Sequence, residues 1–227
     1  MKIKAIGCLC AIMIFGLFAA RAKAESDEVR KVENAAEVLG QIAAIPEKSI
    51  PPALLANAYG VAVLPGVIKF GFIAGGRYGS GVLVVREKSG WSDPSFVTLT
   101  GGSVGFQIGA ESTDVILVFK TRRGIEGITK GKFTLGADAA VAAGPVGRQA
   151  EADTDAQLKA EVYSYSRSRG LFAGVSLEGA ALEIDNRANE AFYGRIITPK
   201  EIFSGAVAAP AAAEKFKSEL EKDSGLK

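Results

Sequence analysis

"KFGFIAGGRYGSGVLVVR", residues 69–86, holds five glycines between two basic ends and runs into an aliphatic stretch. Its reading decides the fold. A phosphate-cradling loop would make the chain a nucleotide enzyme; glycines that serve strand geometry would make it a β-rich binding module. A Walker loop needs G-x-x-x-x-G-K-[ST], because the lysine reaches the phosphates and the hydroxyl holds magnesium. Here Arg77 and Tyr78 follow Gly76, and no later glycine precedes Lys-Ser or Lys-Thr. A dinucleotide fingerprint must open a helix, whereas Gly79-Ser80-Gly81 leads into Val82-Leu83-Val84, a strand sequence. Residues 60–147 carry 18 glycines in 88 positions, spread over many short apolar runs. Glycine so distributed lets strands bend and approach one another, as in small barrels.

Around this core the texture is β-type. Gly60–Leu64, Lys69–Ala74, Tyr78–Arg86, Phe96–Leu99, Val104–Ile108 and Val115–Lys120 read as short strands bounded by turn residues. Val82–Val85 and Val115–Phe119 are apolar throughout, which predicts burial on both faces. Phe133–Ala143 and Val162–Leu182 return to strand patterns. Helices are expected over Ser26–Ala44, about Pro52–Ala58 and Arg122–Lys130, from Asp185 to Gly194, and after Thr198-Pro199. Ala211–Lys222 reads as a solvated helix of mixed charge.

The first 24 residues have the shape of an export signal: Lys2 and Lys4, an apolar run over Ala5–Ala20, then Ala22-Lys23-Ala24. The expected organisation is therefore a signal peptide over 1–24, one domain over 25–204 and a helical tail over 205–227. The signal takes with it both cysteines, Cys8 and Cys10, and four of the 27 basic residues. What remains has 23 bases against 25 acids, a balance that gives no general attraction to nucleic acid.

The chain has no histidine. Gly101-Gly102-Ser103-Val104-Gly105 matches the nucleophile-elbow pattern, but a serine hydrolase of that type needs an imidazole base. Histidine-based zinc sites are excluded by the same absence and cysteine-based ones by loss of the signal. Asp153-Thr154-Asp155 lacks the glycine and bidentate glutamate of a calcium loop. No cofactor is expected and an enzyme is disfavoured. Basic residues beside glycines stand out instead: Lys69, Arg77 and Arg148, with Arg167 and Arg169 between "VYSYS" and "GLFAGVSLEG". Such positions let a backbone approach an anion closely.

Taken together, "VAVLPGVIKFGFIAGGRYGSGVLVVR", "WSDPSFVTLTGGSVGFQIGAESTDVILVF", "GKFTLGADAAVAAGPVGR", "ADTDA" and "YSYSRSRGLFAGVSLEGA" resemble the SYLF family, also described as a yeast-type actin-binding and phosphoinositide-binding domain. The match runs in order from about Ser26 to Ile202. The resemblance implies an α+β domain, its helices packed on a strongly bent antiparallel sheet or partial β-barrel. It also implies lipid binding, in eukaryotic relatives partly through an N-terminal amphipathic helix, and actin binding in a fungal relative. The chain resembles the exported bacterial members that carry the domain alone. One departure is electrostatic: Glu25–Glu47 holds six acids against Arg30 and Lys31, a poor match to an anionic membrane.

The expected function is non-enzymatic binding of acidic, phosphoinositide-like phospholipid headgroups by Lys69, Arg77, Arg148, Arg167 and Arg169. The expected setting is the periplasm or envelope after export, with an anionic membrane as partner and no nucleic acid. The alternative is a periplasmic protein-interaction or structural module, actin-binding-like by family name, that offers the apolar face of its first helix to an envelope protein.

Overall fold

The computed structural model describes residues 27–43, 49–71, 74–88, 90–104, 109–146, 160–168 and 171–224. The fold is α+β, a strongly curled open sheet with helices from both ends of the chain, as expected. The signal-like residues 1–24 and the Asp153–Asp155 pair lie outside the described residues.

Ten strands form the sheet: β1 (Gly60–Gly71), β2 (Ala74–Glu87), β3 (Gly90–Trp91), β4 (Ser95–Val104), β5 (Gly109–Phe119), β6 (Phe133–Thr134), β7 (Val141–Ala143), β8 (Val162–Ser168), β9 (Leu171–Gly174) and β10 (Ala181–Ile184). Their order is β6-β10-β4-β2-β1-β5-β8-β7, with β3 on β2 and β9 on β8. Every pair is antiparallel except β7 with β8. Two of the expected short strands, Gly60–Leu64 and Lys69–Ala74, belong largely to the single long β1. They are joined through a bulge at Pro65-Gly66, where the register slips between Leu64 and Val67 against β5 and between Val63 and Ile68 against β2. Proline needs no ladder partner there, and Gly66 takes a φ of +63° and donates its N–H to Asp114 Oδ1 at 2.9 Å.

The helices are α1 (27–43), α2 (Pro52–Ala56), α3 (Arg122–Thr129), α4 (Asn186–Tyr193), α5 (Pro199–Phe203) and α6 (Ala211–Asp223). Helices α1, α2, α4 and α6 cover one sheet face, over Val61, Val63, Val82, Val84, Ile116 and Val118. Helices α3 and α5 cover the other, over Ala62, Leu64, Leu83, Val85, Leu117 and Phe119. This two-sided burial is what the unbroken apolar runs predict. Local chemistry sets the helix ends: Asp185 accepts from Ala188 N–H at 3.0 Å, Gly194 closes α4 at φ +71°, and Thr198 and Glu201 form a capping box.

The expected solvated tail is a packed helix. In α6, Ala213, Phe216 and Leu220 are fully buried against the α1 layer, and Lys217 reaches Asp93 at 2.8 Å. Spacings of three and four put these residues on one stripe, which the mixed charge of the other positions had masked.

Candidate functional site

The bulge in β1 decides what each face of the sheet presents beyond the helices. Val61 and Val63 face the α1 layer; one extra residue later, Val67 faces the opposite side, and Lys69 follows it. Lys69 pairs across the ladder with Arg77 of β2 and with Glu111 of β5, so the three side chains share one face. Arg77 in turn lies opposite Gly101 of β4. Two of the five expected binding residues are thus brought side by side, at the end of the sheet distal to the helices.

Arg77 is half-buried, and its Nε and Nη1 are shielded from solvent with no hydrogen-bond partner. Desolvation lowers the pKa of its guanidinium. One ladder row back on the same face, Thr113 Oγ1 is likewise buried without a partner. Glu111, the nearby acid, accepts from Ser168 Oγ at 2.9 Å, and neither Lys69 nor Arg77 makes an ion pair among the described residues. Buried donors normally find acceptors, so this row of strands has unmet capacity for an anion.

Arg167 lies on the other face. Its Nε and Nη2 donate to Asp114 Oδ2 at 2.9 and 2.6 Å, and Nη1 donates to Gln41 of α1. It therefore ties β8, β5 and the first helix together. The cause is register: Arg167 stands directly opposite Asp114, a pairing that sequence spacing did not disclose. Arg148 and Arg169 lie outside the described residues.

The glycines of the opening stretch make room for this geometry. A Cβ on Gly79 would sit 2.6 Å from Val67 Cγ2, and one on Gly76 would sit 2.5 Å from Phe70 Cζ. At Gly79 the strands approach too closely for a side chain, at Gly76 the Phe70 ring takes the space, and both glycines lie within strand β2. A cavity of about 390 Å³ opens at the opposite end of β2, where Arg86, Arg122 and Lys200 face Glu87 and Glu126. Its mixed charge gives no concentrated anion site. The apolar face of α1 is closed to partners, since Val32 and Leu39 are buried on the chain's own sheet. Among the described residues no three metal-ligating side chains gather, and no helix is long and apolar enough to cross a membrane.

Comparison with known proteins places this architecture. The family model Ysc84, described as "Las17-binding protein actin regulator", matches residues 100–223. An SH3 domain-containing protein of Schizosaccharomyces pombe is 44% identical over 172 residues, which is 74% of this chain and 40% of that protein. Protein YSC84 of Saccharomyces cerevisiae is 42% identical over 172 residues, 74% of this chain and 36% of its own length. The SH3 domain-containing YSC84-like protein 1 of Xenopus laevis is 40% identical over 191 residues, 81% of this chain and 57% of its own. This chain thus spans between about a third and just over half of these relatives, two of which are named as SH3 domain-containing proteins. Shared blocks of this extent and identity settle the lineage: the chain belongs to the Ysc84, or SYLF, family.

Proposed function

We propose that this protein is a non-enzymatic binder of acidic, phosphoinositide-like phospholipid headgroups at the cell envelope, which it reaches by export. The observation that carries the reading is Arg77, a half-buried guanidinium with two shielded, unpartnered nitrogens directly across the ladder from Lys69. A phosphate oxygen would satisfy those donors once a small local opening of the strand surface admits it. Arg148 and Arg169, which lie outside the described residues, stay in this reading on their sequence alone. Arg167, held by Asp114, supports the scaffold.

The experiment is co-sedimentation of the purified protein with vesicles of neutral phosphatidylcholine, with and without 30% phosphatidylglycerol or a phosphoinositide. Binding is expected only to the anionic vesicles. Near such a surface each cation contributes about 1 kcal/mol, so Lys69→Gln and Arg77→Gln should each weaken binding by about five-fold. Equal, negligible pelleting with all vesicles would overturn the reading.

The relatives' names favour a second reading, a protein partner for the same domain, since one is called LAS seventeen-binding protein 3 and the family model an actin regulator. Co-sedimentation with filamentous actin tests its most direct form. A supernatant fraction unchanged from the actin-free control would exclude it.

A further inference from the structure

On the reverse of the Lys69–Arg77 row lies an apolar surface that none of the described residues covers. Ile68 is 46% exposed, Phe70 54% and Tyr78 52%, three of the large apolar side chains most open to solvent. Register puts them together: Ile68 stands opposite Tyr78, and the Phe70 ring lies over Gly76, which has no side chain to displace it. The row continues into Ser112 on one side and Thr100 on the other. Beyond Phe70 and Gly76 the same face reaches Gly102, where an added Cβ would meet nothing within 4 Å. The nearest acid on this side, Asp114, is neutralised by Arg167. The patch is therefore apolar, without free negative charge among the described residues, and toward the end of the two longest strands.

We infer that the surface of β1 and β2 that carries Ile68, Phe70 and Tyr78 enters the interfacial layer of a membrane, with Phe70 deeper than Ile68 and Tyr78. This rests on the headgroup reading and specifies how the same site docks. Strand geometry supplies the argument. At about 3.3 Å per residue, Phe70 stands roughly 7 Å ahead of Ile68, and Lys69 and Arg77 fall between them on the other face. An amphipathic element lies about 5–10 Å into the headgroup and acyl boundary. Entry to that depth puts the Phe70 ring among acyl carbons, the two cations at the phosphates, and the Tyr78 hydroxyl at the wet edge where tyrosine is favoured. Lys69 and Arg77 behind the patch, neither in an ion pair among the described residues, select an anionic lipid surface over a neutral apolar partner.

The test uses the full chain and vesicles of phosphatidylcholine with 30% phosphatidylglycerol. The double variant Ile68→Ser, Phe70→Ser, checked for an unchanged thermal transition, should bind at least about ten-fold more weakly and lose the binding that survives 0.5 M salt. Phe70→Trp and Tyr78→Trp report depth through quenching by brominated acyl chains, because the native Trp91 is buried away from the quencher and adds only a constant background that the wild-type protein measures. Phe70→Trp should shift to the blue and be quenched more than Tyr78→Trp. Wild-type affinity in the serine variant, or an unquenched Phe70→Trp on vesicles that do bind, overturns the insertion and leaves the headgroup reading standing. Failure of the wild-type protein to bind any anionic vesicle removes the headgroup reading first. Self-association that the serine variant abolishes, without vesicle binding, reassigns the patch to a second copy of the chain and overturns the inference.

Discussion

Replacing Gly81 by alanine is expected to destabilise the protein by about 3 kcal/mol or more, the largest effect of any single methyl group at these glycines. An added Cβ would stand 2.6 Å from Leu64 Cα and 2.8 Å from the Val63 carbonyl carbon, and closer still to the Val63 oxygen. These are backbone atoms of a central strand, held on both sides by ladder hydrogen bonds, so no side chain can rotate to relieve the clash. A native stability of about 5–15 kcal/mol would be cut severely. For a domain of this size the melting temperature should fall by roughly 6–12 °C. Gly102→Ala is the control: no atom lies within 4 Å of its added Cβ, and a change within about 0.5 kcal/mol is expected. Thermal unfolding followed by circular dichroism separates the two. Equal melting temperatures would show that the strands are not packed through glycine at this point.

The second large effect is expected at Asn189. This side chain is fully buried in α4, where Oδ1 accepts from the Phe96 backbone N–H at 2.8 Å and Nδ2 donates to Ser95 Oγ at 3.1 Å. It thereby fastens α4 to the start of β4, where the Phe192 ring meets Phe96 edge to face at 5.2 Å. Asn189→Ala orphans a buried N–H and a buried hydroxyl and opens a small void. A buried group left without its partner costs about 1–3 kcal/mol, so a total near 3 kcal/mol is expected in urea denaturation. A loss below about 1 kcal/mol would mean that water replaces the amide, and that α4 is held by its aromatic contacts alone.

Local signals in the sequence were read well. Asp185, Gly194 and the Thr198-Pro199 pair mark helix ends because capping depends on a few adjacent residues, and the structure uses each of them. The apolar runs at Val82–Val85 and Val115–Phe119 disclosed a sheet covered on both faces. Long-range register was not legible. Nothing near Arg167 in the chain announces Asp114, 53 positions away, and nothing near Lys69 announces Arg77 or Glu111 as ladder partners. The patch of Ile68, Phe70 and Tyr78 was missed for the same reason. Its residues alternate with Lys69 and Arg77 in the stretch first read, but which side of the hairpin they occupy depends on the bulge.

That bulge has a consequence for how the surface is encoded. Were Pro65 and Gly66 to continue the regular pleat instead of sharing one position of it as a bulge, Lys69 would turn to the side of Val61 and Val63. Ile68 and Phe70 would turn inward beside Arg77, exchanging the oily and the charged sides of the same strand at almost unchanged composition. Straightening the bulge at constant length is therefore equivalent to rewriting every exposed position downstream of it as far as Gly71, whereas deleting its extra residue leaves those positions where they are.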